Sequence, residues 1–196
     1  MSWTPYDRDK PKPFIDEAIK LFDERKGKVI CEIGCMRMRL KHPVDEENHE
    51  CCCDGHSSLL FARTGKEFYS VDINPKAVAL TLEHVNSYRA TTEVLCQDGI
   101  GFLFGFGKPI DLLFLDGWDV DLNDCAEKHV EAYKAAKHRL HDKSVVIIDD
   151  TDVEIRDHNL QPIKEGYGGK GRLLVPLMIK EGWKVHRSGR CTILIK

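Results

Sequence analysis

The sequence lacks the features that mark a membrane, secreted or nucleic-acid-binding protein. No apolar run approaches the roughly 20 residues that a helix needs to cross a bilayer, and the polar, proline-containing N-terminus does not resemble a signal peptide. The 29 basic and 32 acidic residues give a net charge of −3, so we expect no nucleic acid and no membrane as a partner. One cytoplasmic domain, residues 1–196, is the expectation, and the sequence leaves open whether it forms a homo-oligomer.

A disulfide framework is not expected either, although the chain contains eight cysteines. Without a secretion signal we expect these cysteines to remain free thiols. Cys31, Cys96 and Cys191 lie in apolar stretches. We therefore expect these three thiols to be buried as small hydrophobic side chains.

The one break in composition is an inserted loop at about residues 36–53, which is charged and non-periodic. Its cysteines and histidines allow three interpretations: a lid over a ligand entrance, a structural Zn²⁺ site, or redox-active thiols. Against zinc, no C-x₂-C pair is followed by a second spaced pair. The residues concerned are Cys35, His42, His49, Cys51, Cys52, Cys53 and His56.

Helical and extended patterns alternate along the chain. An amphipathic helix is predicted at about 13–26, and near-continuous apolar strands follow, separated by helices. Apolar strands of this kind indicate a parallel sheet that is covered on both faces, and the last two strands suit an antiparallel edge hairpin. The predicted fold is therefore α/β: a Rossmann-like, doubly wound, mostly parallel seven-stranded sheet with an antiparallel edge hairpin and helices on both faces.

The predicted parallel strands all end in acidic residues. In a doubly wound sheet the ligand lies beyond the carboxyl ends of the strands. One aspartate there is explained by solvent or by a helix cap, but a carboxylate at every strand end favours a ligand site. The strand ends are Glu32-Ile-Gly34, Asp72, Asp98, Asp116 and Asp149-Asp150.

Two of these strand ends suggest a nucleotide-like ligand. Asp72 follows Gly55 at close to the roughly 20-residue spacing at which an acidic side chain accepts hydrogen bonds from a ribose. Gly34 permits a sharp turn after the first strand, and Gly55 precedes a helix. The sequence has no G-x-G-x-x-G, so a pyrophosphate cradle is poorly supported.

The segment from about 28 to 150 resembles the class I S-adenosylmethionine-dependent methyltransferases. "CEIGC" with "DGHSS" resembles their first motif, "YSVDINP" the second, "CQDG" the third and "DLLFLDGWD" the fourth. The resemblance implies that Gly34 contacts the methionine part of S-adenosylmethionine, Asp72 the ribose and Asp98 the adenine amine. The inserted loop departs from the family, since it separates the two halves of the first motif. The full predicted cofactor set is Glu32, Gly34, Gly55, His56, Ser57, Asp72, Ile73, Asp98, Gly99 and Asp116.

Asp116, Asp149 and Asp150 form a second predicted cluster, at the tips of neighbouring strands. Three converging carboxylates repel one another unless a cation lies between them, and oxygen ligands suit Mg²⁺, Mn²⁺ or Ca²⁺. These positions resemble the metal motif of the catechol, caffeoyl-CoA and macrolide-sugar O-methyltransferases. The alternative is a methyltransferase without a metal, in which the aspartates are solvated or bind substrate.

The resemblance implies methylation of a small-molecule hydroxyl group, with Asp116, Asp119 and His158 as candidate catalytic residues. Asp119 stands where the catechol enzymes carry a lysine. It could bind a metal or act as a weak base but cannot copy the lysine, which puts a catechol-type acceptor in doubt. His158 is the alternative base. Residues 165–172, "EGYGGKGR", have two interpretations. They are either a mobile lid, whose Lys170 or Arg172 contacts an acidic acceptor, or an ordinary flexible connection.

Two other functions remain open from the sequence. A nucleotide-binding oxidoreductase would share the fold, although the absent glycine fingerprint counts against it. A metal- or thiol-sensing protein without catalysis would use the inserted loop as its sensor. Fold alone does not decide among these functions.

Overall fold

The computed structural model describes residues 11–37, 56–153 and 167–196. These residues form one seven-stranded sheet in the order β3-β2-β1-β4-β5-β7-β6. Strands β1 to β5 are mutually parallel, whereas β7 runs antiparallel to both β5 and β6. The predicted fold class is confirmed. The strands are β1 (Val29–Ile33), β2 (Glu67–Asp72), β3 (Thr92–Cys96), β4 (Ile110–Leu115), β5 (Leu140–Ile148), β6 (Lys184–Arg187) and β7 (Thr192–Ile195).

Helices cover both faces of the sheet. Side chains of α1 and α2 pack on one face, together with Ile30 of β1, while α4, α5 and α6 pack on the other, together with Cys31 and Ile33. This division follows from the alternation of side chains along a strand. The helices are α1 (Lys12–Glu24), α2 (Ser57–Arg63), α3 (Pro75–His84), α4 (Gly99–Gly105), α5 (Cys125–Ala136) and α6 (Leu174–Lys180).

Three local expectations were wrong. Helix α4 was not predicted, because its sequence, GIGFLFG, is rich in the residue that disfavours helices most after proline. The sequence of residues 122–142 predicts one long helix, but the helix ends at Ala136 and Leu140 already begins β5. Cys96 is exposed at the end of β3, whereas Cys31 and Cys191 are buried as expected.

The inserted loop lies outside the described residues from position 38 onwards, as do Gly55 and His158. Of the predicted zinc or thiol ligands, only Cys35 and His56 are described. Burial is the main cause that raises the pKa of Cys35 to about 12, so this thiol is not prepared for redox chemistry or metal binding. Among the residues described, no helix is both long and apolar enough to cross a membrane.

Candidate functional site

The strand order reverses between β1 and β4, and Gly34 lies at this point. The chain runs from β1 outward to β2 and β3, then returns to the other side as β4 and β5. Gly34 has a φ of +103°, and a Cβ there would lie 2.9 Å from the main-chain carbon of Asp116. Only glycine fits both requirements, so the two loops approach closely and a crevice opens beyond the strand ends.

A pocket of about 280 Å³ fills this crevice. Six of the ten residues predicted to bind the cofactor line it, whereas Glu32, His56 and Ser57 are not among its lining residues and Gly55 is not described. The six come together because strand ends that are distant in sequence share one edge of the sheet. The six lining residues are Gly34, Asp72, Ile73, Asp98, Gly99 and Asp116.

Asp72 is held in place by main-chain donors. Its Oδ2 accepts a hydrogen bond from the amide of Cys35 at 2.9 Å, and its Oδ1 accepts one from the amide of Asn74 at 2.7 Å. Each carboxylate oxygen can accept a further bond. The side chain is therefore oriented towards the pocket and retains acceptor capacity for a ligand hydroxyl.

Asp98 and Ile73 line the same pocket in different ways. Asp98 caps α4, because its Oδ2 accepts from the amide of Gly101 at 2.6 Å. A helix cap was one explanation for a single aspartate at a strand end, and Asp98 does cap a helix. It also lines the pocket. Ile73 is 74% exposed, and an apolar side chain this exposed at the pocket edge offers a surface to a flat ring.

Glu32 is fully buried behind the pocket rather than in it. Its two carboxylate oxygens accept hydrogen bonds from three serine hydroxyls, those of Ser57, Ser58 and Ser70, at 2.5–2.6 Å. Burial nevertheless raises the pKa of Glu32 to about 7, because the hydroxyls and their dipoles only partly replace water. The residue joins β1, β2 and the start of α2.

Asp116, Asp149 and Asp150 do converge, with carboxylate oxygens within 4.8 Å of one another. Two cations lie among them. The Nζ of Lys170 is 2.5 Å from Oδ1 of Asp116 and 3.2 Å from Oδ2 of Asp150. The guanidinium of Arg190 lies 3.1 Å from Oδ1 of Asp149 and 3.0 Å from Oδ1 of Asp150.

The pKa shifts of this cluster follow from its charges, three negative and two positive. Burial raises the pKa of Asp116 to about 8, and Lys170 offsets this only in part while Asp149 and Asp150 add to it. Burial also acts on Asp149, but Arg190 and Lys170 outweigh it and lower the pKa to about 2. Burial opposes the charge of Lys170, yet the three carboxylates hold its pKa above the ordinary value. The cluster thus keeps both cations, and Asp116 is the carboxyl that most readily holds a proton.

Lys170 reaches the cluster on a glycine-rich turn, Gly169–Gly171, that packs directly on the segment after β5. Gly169 has a φ of +41°, and a Cβ there would lie 2.1 Å from the carbonyl oxygen of Asp150. The amide of Gly168 donates to the carbonyl of Thr151 at 2.9 Å. Of the two interpretations of this stretch, contact between Lys170 and an acceptor from a mobile lid does not fit, because the side chain of Lys170 is only 1% exposed.

Asp119 lines the pocket but is engaged by Arg37. The Nη1 of Arg37 donates to both carboxylate oxygens of Asp119, at 2.7 and 2.9 Å. Arg37 also lines the pocket, although sequence analysis did not select it. The catalytic role of Asp119 stays a prediction, and that of His158 lies outside the described residues.

Sequence analysis also missed Arg190, for which a signal existed. The predicted antiparallel hairpin places β7 beside β5, and Ile148 pairs with Thr192. Continuing that register sets Asp149 and Asp150 opposite Cys191 and Arg190. Three carboxylates at strand tips could thus have been matched with the basic residue that this register places opposite them.

The fold and the crevice define a doubly wound α/β protein with a ligand pocket at its topological switch point. The chain belongs to the family described as "Methyltransferase domain", whose model matches residues 52–151. No curated protein sequence matches the chain.

Solved structures share the fold at low sequence identity. A candidate O-methyltransferase from Klebsiella pneumoniae is 14% identical, with a TM-score of 0.62, and the match covers 96% of this chain and 82% of that one. An O-methyltransferase from Bacillus cereus in complex with SAH is 16% identical (TM-score 0.59; coverage 97% and 84%). A candidate rRNA methylase from Clostridium thermocellum is 10% identical (TM-score 0.56; coverage 89% and 93%). At these identities the likeness concerns the fold, so the acceptor has to be argued from the site.

Proposed function

We propose that this protein is an S-adenosylmethionine-dependent methyltransferase that methylates an oxygen atom of a small molecule. The observation that carries the proposal is the pocket itself. Six residues selected as cofactor ligands from four separate motifs line one crevice, in a chain that belongs to a methyltransferase family. The Bacillus cereus O-methyltransferase, which shares this fold, was solved in complex with SAH. SAH is the product that remains when S-adenosylmethionine gives up its methyl group.

The pocket residues suit the parts of the cofactor. The free acceptor capacity of Asp72 suits the ribose hydroxyls, and the exposed side chain of Ile73 suits one face of the adenine ring, with Asp98 near its amino group. Gly34, which lines the pocket without a side chain, suits the methionine chain. Asp116 would then lie beside the sulfonium group, at the end of the pocket formed by β4.

Methyl transfer depends mainly on how the protein aligns the two reactants, and it needs no covalent intermediate with the protein. A lone pair of the acceptor oxygen attacks the methyl carbon as the carbon–sulfur bond breaks, which leaves SAH and frees one proton from the hydroxyl group. Alignment of the two reactants supplies much of the rate. Asp116 is the member of the carboxylate cluster that lines the pocket, and we assign it to the acceptor hydroxyl and its proton.

A small-molecule acceptor is supported by charge and by the O-methyltransferase likeness. A net charge of −3 gives no attraction for a polyanion such as RNA. Two structural relatives are O-methyltransferases or candidates for that activity. The oxidoreductase and sensor alternatives have no comparable support.

Assistance by Mg²⁺ stays a prediction, and the residues do not fit a resident divalent ion well. Every carboxylate oxygen of Asp149 and Asp150 lies within 3.2 Å of a nitrogen of Lys170 or Arg190, and Oδ1 of Asp116 lies 2.5 Å from that of Lys170. A divalent ion would need these oxygens for itself. We therefore assign no step of the reaction to a metal.

Calorimetric titration of the purified protein with S-adenosylmethionine and with SAH tests the proposal. Binding in the micromolar range, followed by transfer of a labelled methyl group to members of a panel of hydroxylated compounds, is the expected result. Absence of binding, together with binding of NADH or NADPH, would refute it and favour the oxidoreductase.

A further inference from the structure

The ammonium group of Lys170 is held within the acidic cluster. It donates hydrogen bonds to Oδ1 and to the main-chain oxygen of Asp116, at 2.5 and 2.9 Å, and forms an ion pair with Oδ2 of Asp150 at 3.2 Å. An ammonium group has three donors and no acceptor. Lys170 thus meets three oxygens in a position where its side chain is 1% exposed.

This position is the one that a cation shared by the tips of β4 and β5 would occupy. A divalent ion bound by Asp116 and Asp150 would lie about 2.0–2.6 Å from their oxygens. The Nζ of Lys170 already lies within 2.5–3.2 Å of the same oxygens, so ion and ammonium exclude each other. Arg190 engages the remaining oxygens of Asp149 and Asp150.

The main chain fixes Lys170 in this place. Gly168 and Gly169 donate hydrogen bonds to the carbonyls of Thr151 and Val153, at 2.9 and 3.2 Å. A Cβ at Gly168 would lie only 2.0 Å from the carbonyl oxygen of Val153, so the turn is in close contact with the segment that follows β5. Withdrawal of the ammonium group would leave the carboxylates uncompensated.

We propose that Lys170 takes the place of the divalent cation at the carboxylate cluster, so that the protein binds its cofactor and positions Asp116 without a metal. Lys170 is a positioning residue: it holds Oδ1 and the main-chain oxygen of Asp116 and leaves Oδ2 for the pocket. The inference rests on the proposed function only for the identity of the cofactor. The claim about the cation concerns the cluster alone.

The test uses Mn²⁺ as the probe, because its paramagnetic resonance signal is lost when it binds. The full chain is stripped with a chelator and titrated with Mn²⁺, in parallel with Lys170→Met and with Lys180→Met, an exposed lysine on α6 that serves as the control. Folding of each variant is checked by circular dichroism. S-adenosylmethionine binding is measured separately by calorimetry, in chelator and in excess Mg²⁺.

We expect the wild type and Lys180→Met to take up no Mn²⁺. In Lys170→Met the loss of one positive charge leaves a vacancy among the carboxylates, and its Mn²⁺ affinity should rise by at least about tenfold. Adding Asp116→Asn to Lys170→Met should abolish that gain. The affinity of the wild type for S-adenosylmethionine should differ by less than about twofold between chelator and Mg²⁺.

Stoichiometric Mn²⁺ uptake by the wild type would overturn the inference, and so would a folded Lys170→Met that gains no Mn²⁺ affinity. If Lys170→Met does not fold, the wild-type titrations decide: uptake of Mn²⁺ overturns the inference, and metal-independent cofactor binding without uptake supports it. Absence of S-adenosylmethionine binding under both conditions would refute the proposed function, while the Mn²⁺ titrations would still decide the cation at the cluster.

Discussion

Arg37 and Asp119 are 82 positions apart in sequence, and the guanidinium of one donates to both carboxylate oxygens of the other. Arg37 follows the turn after β1, and Asp119 lies in the loop after β4. Both line the pocket, so their ion pair joins two loops across it. Both side chains are about half exposed, so the ion pair adds little to the free energy of folding. It does help to fix the shape of the pocket, because it joins the two loops.

Replacing Asp119 with asparagine should therefore weaken cofactor binding while leaving the stability of the fold almost unchanged. Exposed ion pairs contribute about 0–1 kcal/mol, so we expect the free energy of unfolding in urea to change by less than about 1 kcal/mol. The dissociation constant for S-adenosylmethionine should rise several-fold, because the loops are no longer joined. Glu131→Gln, which breaks the exposed pair with Lys128 on α5, is the control and should leave binding unchanged. Equal effects of the two changes would contradict the role of the Arg37–Asp119 pair.

Asp72→Asn should weaken cofactor binding more strongly. The amide replaces one acceptor oxygen with a donor, which then faces an amide group of the main chain or a ribose hydroxyl. Hydrogen bonds to charged groups contribute about 1.5–3 kcal/mol, which corresponds to about a 10- to 150-fold loss of affinity. Calorimetry with SAH measures the change, and the exposed Asp121→Asn is the control. Wild-type affinity in Asp72→Asn would exclude this residue as the ribose ligand.

Gly34→Ala tests the close approach of the loops at the switch point. Two costs combine there, a φ of +103° and a Cβ at 2.9 Å from the main chain of Asp116. Gly65 shares a positive φ, +65°, but has open space around it, so Gly65→Ala measures the backbone cost alone. We expect Gly65→Ala to cost about 1–2 kcal/mol in thermal or urea unfolding. Gly34→Ala should cost at least about 1 kcal/mol more and abolish cofactor binding. Similar costs would mean that the crevice tolerates a side chain.

Glu32 should make stability depend on pH in a defined direction. Its pKa is about 7 in the folded protein, against an ordinary value of 4.5. Between these values only the folded state holds the proton, so the free energy of unfolding falls as the pH rises through this window. A shift of this size corresponds to about 3 kcal/mol between pH 4.5 and pH 7.

Glu32→Gln isolates that contribution. Urea unfolding of both proteins across the window should give a stability difference that moves by about 3 kcal/mol in favour of the variant as the pH rises. Other groups, such as the buried His129, whose pKa burial lowers to about 4, remain in both proteins and cancel in the difference. A difference that does not vary with pH would show that Glu32 is ionised in the folded protein throughout.

The coupling between Lys170 and Asp116 can be measured by a double-mutant cycle. Lys170→Met leaves buried carboxylates without their cation and should cost about 3–5 kcal/mol in urea unfolding. Lys170→Met combined with Asp116→Asn removes one charge of each sign and should cost less than Lys170→Met alone. Additive costs would mean that the two side chains do not interact, in conflict with their 2.5 Å contact.

The sheet could be predicted from the sequence because each strand is encoded by a short, continuous run of residues. Each central strand is a run of apolar residues, and the acidic residues directly after these runs had to share one edge once the strands were parallel. Asp72, Asp98 and Asp116 were therefore identified as neighbours of a common pocket without any knowledge of contacts. Helix α4 escaped prediction because Gly99, Gly101 and Gly105 argue against a helix that tertiary packing nevertheless forms.

The partners of the carboxylates could not be predicted in the same way. Lys170 occurs in a stretch whose composition, glycine and charge, is typical of a solvated loop. Its burial depends on a main-chain contact with residues 151–153 that no periodic pattern reveals. The position of Arg37 beside Asp119 likewise depends on how the loops after β1 and β4 meet, which the sequence pattern does not reveal.

The turn that carries Lys170 changes how sequences with this cluster should be interpreted. Acidic residues at the tips of two adjacent strands are not by themselves the mark of a metalloenzyme, because the same carboxylates can be neutralised from within the chain. In this chain the neutralising lysine is flanked by glycines shortly before the last helix, in Gly168-Gly169-Lys170-Gly171. A protein that carries its own cation in this way would be insensitive to the supply of divalent ions around it.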